Sequence, residues 1–334
     1  MNTALSPLDF RLLNDWQRGF PLVSRPYAEL AAQLGIGENE VLARLADLKA
    51  RGHVSRVGAV FRPHVLGWST LAAVACPPER IEAVAAVIDG FAEVNHNYER
   101  EHRYSLWFVV TAASRNRVAE VLDEIRRRTG LRPLDLPMVA DYHIDLGFDL
   151  AHARGHLDPA GPAVDVARLR AALVAEDIVL TRALDGGLEQ IARPYAALAA
   201  RCGWTEDAVL ARLERLIGLG VIRRFGVVVR HRELGYHANA MVVWDIPEAD
   251  LDAVGWLLAG QPAVTLCYQR PRRLPDWRFN LFSMVHGQDR SAVLDEVERL
   301  RTLVGVAVPD AQPLFSRRRF KQCGASYAPL AKAA

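Results

Sequence analysis

The stretch RPYAELA (Arg25–Ala31) returns as RPYAALA (Arg193–Ala199), an offset of 168 residues in a chain of 334. At that fixed offset, residues 25–68 and 193–236 agree at 22 of 44 positions. The matches include Val41-Leu-Ala-Arg-Leu45 with Val209-Leu-Ala-Arg-Leu213, Gly52 with Gly220, and Leu66-Gly67 with Leu234-Gly235. Chance does not give half identity over so long a run, so the chain is a tandem duplication whose unit is half its length. The joint is expected in the Gly- and Pro-rich stretch 152–165, HARGHLDPAGPAVD, which carries no apolar periodicity.

Each copy has the same internal order. Leu30, Leu34, Val41, Leu45 and Leu48 recur at helical spacing, broken by Gly35-Ile36-Gly37. Gly52 ends the second helix, and VSRVGAVF (54–61) alternates like a strand. This is a helix-turn-helix with a wing, repeated from Tyr195 to Val229. Strand 70–76, a helix opened by Pro77-Pro78, strands 92–98 and 104–111, helix 115–129 and strand 131–139 follow. The second copy repeats them as strand 238–246, a helix from Pro247, strands 264–269 and 279–285, helix 290–303 and strand 306–313. The order βαββαβ is that of a ferredoxin-like sandwich, so the fold class is α+β. The domains are placed at 1–62 (first winged helix), 63–150 (first sandwich), 151–165 (linker), 166–230 (second winged helix) and 231–334 (second sandwich).

Composition bounds the function. Hydrophobic residues make up 51% and charged residues 24%, an ordinary globular balance. With 41 Lys and Arg against 39 acids the net charge is +2, which argues against nucleic-acid coating by bulk charge but leaves a local basic patch open. No apolar run approaches the roughly 18 residues of a membrane span. The first twenty residues carry acids and lack the apolar core of a secretory signal, so a cytoplasmic location is expected. Cys76, Cys202, Cys267 and Cys323 lie far apart, with no zinc-ribbon, cluster or disulfide pattern, and receive no role.

A winged helix-turn-helix followed by a ferredoxin-like domain resembles the Lrp/AsnC family of regulators. Members of that family pair through the sheets of their C-terminal domains. The resemblance therefore implies that the tandem chain supplies both halves of one pseudo-twofold dimer. Operator binding is the competing function, in the form of a DNA-binding regulator that senses haem. The helix that would enter the major groove argues against it. Its N-terminal end reads Glu38-Asn39-Glu40 in one copy and Glu206-Asp207 in the other, where short polar and basic side chains are needed. Acids there suit the helix dipole but face phosphates, so no stable DNA binding is expected.

Chemistry concentrates in 95–108, NHNYEREHRYSLWF, read as the turn between the two middle strands of the first sandwich. Residues 96–104 interleave two His, two Arg and two Glu with tyrosine, more than a hairpin tip requires; solvated loop charges are the bland alternative. The second copy keeps Tyr268-Gln-Arg270 and Phe279-Asn-Leu-Phe282. Between them stands Pro271-Arg-Arg-Leu-Pro-Asp-Trp277, without histidine. YEREHRYSLWF resembles the signature of the siroheme decarboxylases, Lrp/AsnC-like proteins of tetrapyrrole metabolism. His143-Ile-Asp-Leu-Gly-Phe148 and LFSRRRFKQCGA (314–325) agree with it. The resemblance spans essentially the whole chain, in the order of a NirD–NirL fusion of the haem d1 pathway. One departure is Ser105, where the family pattern has Asn; Asn280 keeps it in the second half.

The resemblance implies decarboxylation of two acetates of siroheme to methyl groups, giving didecarboxysiroheme. It implies no cofactor and no metal site of the protein's own, since the iron belongs to the substrate. The implied residues follow. His102 is the general acid, because an imidazole titrates near working pH, and Tyr98 orients it or relays the proton. Arg100 and Arg270, equivalent across the repeat, clamp carboxylates, beside Tyr268. Arg56, Arg62, Arg224 and Arg230 are further candidates to meet the eight carboxylates, with a solvated strand edge as their alternative. His96 either ligates the substrate iron or bonds locally, the local reading being preferred. His64 stands opposite Arg232 in the repeat, which weakens any role needing imidazole. His143 either belongs to the site or is structural beside a strand end, the structural reading being preferred, and Trp107 and Phe108 are read as sheet core. The basic run Arg317–Lys321 meets acidic groups or caps the surface. The expected partners are siroheme and related tetrapyrroles, with paralogous decarboxylase subunits or further copies of the chain as candidate protein partners.

Overall fold

Pro26 and Pro194 open two equivalent helices at the position where a missing N–H costs nothing. Gly35 (φ +69°) and Gly203 (φ +71°) close them in the left-handed conformation glycine adopts freely. The computed structural model describes residues 5–144, 148–149, 154–155, 165–229, 238–287, 289–305 and 310–324. In chain order the first half contains α1 (Pro7–Asn14), α2 (Pro26–Leu34), α3 (Glu38–Ala50), β1 (Val54–Phe61), β2 (Trp68–Val74), α4 (Ile81–Asp89), β3 (Val94–Arg100), β4 (Leu106–Ala112), α5 (Arg115–Thr129), β5 (Leu134–Pro137) and β6 (Ala140–Ile144). Two-residue strands β7 (Phe148–Asp149) and β8 (Arg154–Gly155) follow. The second half runs α6 (Val166–Ala171), α7 (Ala175–Ala183), α8 (Pro194–Cys202), α9 (Glu206–Gly218), β9 (Ile222–Val229), β10 (Ala238–Trp244), α10 (Leu251–Ala259), β11 (Val264–Gln269), β12 (Leu281–Gly287), α11 (Arg290–Val304) and β13 (Ala311–Gln322). No helix among the described residues is long and apolar enough to cross a membrane.

The chain divides into two compact units that group like with like: the two winged helices in one, the two βαββαβ repeats in the other. In the winged-helix unit β1 and β9 pair antiparallel, with Gly58 opposite Gly226, Val57 opposite Val227 and Ala59 opposite Phe225. Gly58 faces its own 168-offset counterpart, and the pairs on either side exchange (Val57 with the counterpart of Ala59, Ala59 with that of Val57), as a twofold axis through the glycine pair requires. Fully buried Leu30, Leu45 and Leu48 and their counterparts Leu198, Leu213 and Leu216 share one core. At about 2 kcal/mol for each buried leucine, that stripe outweighs any single polar contact in the unit.

Polar contacts in this unit come in matched pairs. Tyr27 Oη donates to Glu189 O (3.3 Å) and Tyr195 Oη to Pro21 O (2.7 Å). Arg25 pairs with Glu38, and Arg193 with Glu206. Glu40 is held by Arg44 at 2.8 Å. The expectation that these acids face outward toward phosphates is therefore corrected for Glu38 and Glu206. An arginine before each preceding helix binds them, and only 13% of either side chain is exposed.

The second unit carries a nine-stranded sheet in the order β5-β2-β4-β3-β13-β10-β12-β11-β6. Each repeat contributes the ferredoxin-like order, and the repeats join where β13 changes partner. Its first part pairs with β10 (Met241 opposite Leu314) and its last part with β3 (Arg100 opposite Ser316). At the other end β6 pairs with β11 of the second repeat. Only Met138 and Val139 separate β5 from β6, so consecutive strands stand at opposite ends of the sheet order. The two sandwiches thus share strands, as a pseudo-twofold Lrp-like pair within one chain requires.

Helices α4 and α5 cover one repeat, with Val84, Ile88, Val121 and Ile125 against Val74, Leu106 and Phe108. Helices α10 and α11 cover the other, with Leu258, Val297 and Leu300 against Val242, Trp244 and Leu281. A separate cluster on the opposite face draws on both repeats: Leu71, Trp107, Leu136, Met241, Tyr268, Trp277, Phe282 and Leu314.

Helix α5 and strand β11 occupy the predicted 115–129 and 264–269. Two differences bear on function. Strand β3 reaches Arg100 instead of ending at Tyr98, because β13 pairs with its last residues. The final strand spans Ala311–Gln322 instead of 306–313, and residues 306–309 lie outside the described residues. The basic run Arg317–Lys321 can stay extended because acids of the first repeat neutralise it. Arg318 pairs with Glu99 (2.6 Å) and Glu82, and Arg317 approaches Glu99 and Glu101 at 3.8 Å.

Asp177 is fully buried between Arg212 (2.8 Å) and Arg215 (2.6 Å), whereas its counterpart Asp9 has Arg44 alone (3.1 Å). Burial pushes both carboxyls up, but their hydrogen bonds and arginines outweigh it and hold both below the usual range. Asp177→Ala should cost about 3 kcal/mol in urea unfolding, and Asp9→Ala roughly 1 kcal/mol. Because the folded pKa values are depressed, this stability is present above about pH 4 and is lost as pH falls through them. The wild type's acid-unfolding midpoint should therefore move up in Asp177→Ala more than in Asp9→Ala.

Candidate active site

Alternation along β3 decides which side chains meet. Asn97 Nδ2 donates to Asp89 Oδ1 on α4 (2.9 Å), so its neighbours His96 and Tyr98 project from the opposite face of the strand, with Arg100 two residues on. On β11 the same rule aligns Tyr268 with Arg270. His96 stacks on Tyr98 at 6.3 Å, and the Arg100 guanidinium lies 5.8 Å from the Tyr98 ring centre. The Arg270 guanidinium lies 4.6 Å from Tyr268 and 5.7 Å from Phe282.

The two arginines are bound in equivalent ways. Arg100 Nη1 donates to Leu314 O of β13 (2.9 Å), and Arg270 Nη1 to Leu136 O of β5. Each residue is only 9% exposed, and each Nε–H is buried without an acceptor among the described residues. Burial pulls the Arg100 pKa down to about 10, with Tyr268 and Tyr98 opposing the shift, so the cation persists at neutral pH. Burial lowers Arg270 as well, against Tyr268 and Asp135. Tyr268 opposes the lowering at both guanidiniums.

Three half-buried imidazoles belong to this unit. His96 Nδ1 meets Asn95 Oδ1 at 2.7 Å, while Asn95 Nδ2 donates to Thr111 Oγ1 (3.0 Å). The amide orientation makes Nδ1 the protonated nitrogen and leaves the lone pair on Nε2. Burial pushes its pKa down to about 4. The preferred local reading of His96 is thus met by Asn95, with Nε2 left over for a ligand. His286, which the sequence reading passed over, bonds Thr265 Oγ1 at 2.9 Å. Burial, then the Arg100 charge, pushes it to about 4. Period-two alternation with Phe282 and Met284 was the signal available for it.

His102 sits in the turn between β3 and β4. Tyr104 N–H donates to its Nδ1 (3.0 Å), so the neutral ring carries its proton on Nε2. The ring stacks on Tyr104 (6.1 Å, 14°) and meets Trp277 edge-on (5.5 Å, 81°). Burial and then the Arg103 cation depress its pKa. Two expectations need correction. The residue that orients His102 is Tyr104, whereas Tyr98 lies beside His96 and Arg100. Arg100 is a strand residue on a sheet face, not part of the turn. Trp107 and Phe108 are core residues on opposite faces of β4.

The wing arginines belong to the other unit and have acceptors there. Arg56 Nη2 donates to Ala59 O (3.0 Å), Arg62 Nε to Gly220 O (3.1 Å) and Arg224 Nη1 to Gln17 Oε1 (3.4 Å). They are not brought together with His102 and Arg100 in one compact unit. Arg230 lies outside the described residues. His64 also belongs to the winged-helix unit, where its carbonyl accepts from Arg170 Nε (2.5 Å). His143, 4% exposed, pairs in register with Cys267.

Known proteins identify the family. The pattern of an AsnC-like ligand binding domain matches residues 65–143 and 233–321. That of a siroheme decarboxylase NirDL-like HTH domain matches 9–54 and 177–223. The siroheme decarboxylase NirDL subunit of Paracoccus denitrificans is 42% identical over 329 residues, 98% of this chain and 99% of that one. The chain belongs to the siroheme decarboxylase family. The NirD subunit of Pseudomonas aeruginosa in the same family is 53% identical over 150 residues, 45% of this chain and all of its own. A crystal structure of the siroheme decarboxylase NirDL superposes with a TM-score of 0.69 at 28% identity, over 96% of this chain and 94% of that one. A NirDL structure in complex with an iron-uroporphyrin III analogue gives 0.66 at 27% identity, over 96% and 93%.

Ser105 and Asn280, which differ across the repeat, share one physical account. Its hydroxyl donates to Cys76 O (3.0 Å) and accepts from Cys76 N–H (3.2 Å). Asn280 does the same for Ile246, accepting from its N–H (3.0 Å) and donating to its carbonyl (2.9 Å). Both side chains tie off the end of a first strand. Ser105→Ala should cost about 1 kcal/mol in thermal unfolding, while Ser105→Asn keeps wild-type stability. A larger loss in Ser105→Asn than in Ser105→Ala would contradict this equivalence.

Proposed function

We propose that this chain is a siroheme decarboxylase, a carbon–carbon lyase that converts two acetate side chains of siroheme to methyl groups in haem d1 synthesis. The observation that carries the reading is the pair of equivalent buried guanidiniums, Arg100 and Arg270, whose Nε–H groups lack acceptors among the described residues. Buried donor-only groups call for a ligand rich in acceptors, and a carboxylate matches the guanidinium fork. Among the described residues, both arginines already spend Nη1 on a main-chain carbonyl, which fixes their direction before the substrate arrives.

Each acetate loses CO2 and gains one proton at the same carbon, so the reaction balances without an electron acceptor. His102, protonated as the polycarboxylate binds and so releasing Tyr104 N–H from Nδ1, donates from Nε2–H to the pyrrole carbon that bears the acetate, and takes that proton back at the end. The bond to the carboxylate then breaks, its electron pair forming an exocyclic double bond as CO2 leaves. Protonation of the exocyclic carbon and loss of the ring-carbon proton give the methyl group. The free imidazole is held neutral; the negative charge of a polycarboxylate opposes that shift and favours its protonation on binding.

Anaerobic incubation with siroheme, followed by mass analysis, should show loss of one and then two CO2. His102→Ala should lower kcat on the order of 100-fold or more with little change in siroheme affinity, because a proton donor acts mainly in the transition state. Arg270→Met should instead raise KM by roughly tenfold, since a carboxylate clamp acts already in the ground state. Siroheme that returns unchanged from the wild type would refute the reading.

A further inference from the structure

We propose that Trp277 is a positioning residue for His102: the second half lays its indole against the first half's imidazole, setting the plane of that ring and shielding it from water. This rests on the assignment of His102 as proton donor. Three contacts hold His102. Tyr104 N–H takes Nδ1, the Tyr104 phenol lies nearly parallel to the ring, and Trp277 stands almost perpendicular to it. Only the Nε2 end is left to face a substrate.

The loop that carries Trp277 is built to hold it still. Arg273 N–H donates to Trp277 O and Trp277 N–H to Arg273 O, both at 2.7 Å, closing a tight ring of backbone. Arg272 bonds Asp245, Glu248 (3.3 Å), Ile246 O (2.5 Å) and Arg278 O. Arg273 Nε donates to Asp135 O (2.7 Å), and Arg278 pairs with Asp310. The loop tip, Leu274, is 71% exposed, yet Trp277 is 2% exposed, packed among Tyr104, Trp107, Phe279 and Phe282. Its Nε1–H has no acceptor among the described residues, so the indole is not anchored by a hydrogen bond of its own. The position equivalent to the histidine turn has thus become a wall for the surviving histidine.

The charged and titratable groups around His102 are Arg103 beside it, Glu101 (paired with Arg290 and, more distantly, Arg317), and the Tyr104 phenol, which Asp276, Arg103 and Arg132 influence in turn. Trp277 carries no charge. Removing it should act by readmitting water, which lifts a depressed imidazole pKa.

The test is imidazole NMR on substrate-free protein together with the pH profile of kcat/KM for siroheme. In Trp277→Leu the His102 pKa should rise toward about 6.5. The limb of the profile that reports the essential acid should move the same way, and kcat should fall about tenfold with KM nearly unchanged. Arg273→Ala, which loosens the loop without opening the core, should shift both in the same direction by less, and decides the matter if Trp277→Leu fails to fold. Unmoved pKa and profile in the folded variants would overturn the proposal, including the case where kcat falls regardless. Full turnover in His102→Ala would overturn the proton-donor assignment itself, whatever the resonances in Trp277→Leu do.

Discussion

Strand β13 belongs to both halves of the molecule, and the candidate site exists because it does. Its first residues complete the second repeat against β10, and its last residues lie against β3, which carries His96, Tyr98 and Arg100. Without it β3 would be an exposed edge with unpaired main-chain groups. The same strand supplies Leu314 O to Arg100, and its arginines neutralise Glu82 and Glu99. Strands β5 and β6 do the corresponding work for Arg270 and β11. Each arginine arm therefore leans on a carbonyl of the other half, and neither half assembles its own arm alone.

Duplication made that mutual support symmetric; divergence then made the chemistry asymmetric. Ser105 and Asn280 perform one structural task with different side chains, so the strand ends are still equivalent. The turns beyond them are not. The first holds an imidazole with one nitrogen tied to the main chain, and the second holds a rigid, arginine-pinned loop that delivers an indole. In the proposed reaction one half offers the proton and the other shapes its surroundings, while both keep a buried cation for carboxylates.

The duplication was legible because it left half the positions of 25–68 unchanged, and the helices because their apolar spacing is regular. The wing, the βαββαβ order and the limits of α5 follow from local pattern alone. What stayed hidden depends on partners remote in sequence. Nothing near Arg100 says that β3 continues to it; the reason lies more than two hundred residues away, in Ser316. Strand β6 has no partner in its own half, so no local hairpin signals it. Arg56 and Arg224 looked like pocket cations because the repeat retains them, but each packs inside the wing pair. Tyr98 and Tyr104 both flank His102 in sequence, and only the course of the turn brings Tyr104 against it.

The central claim is that Tyr98–Arg100 and Tyr268–Arg270 are two arms of one composite site, each arginine bonded to a main-chain carbonyl of the other half. Anaerobic titration of the intact chain with siroheme, followed by absorbance or calorimetry, tests it most directly. One tetrapyrrole should bind per chain, and the single variants Arg100→Met and Arg270→Met should both weaken that same event. Two siroheme molecules per chain, with each variant removing one and sparing the other, would contradict it.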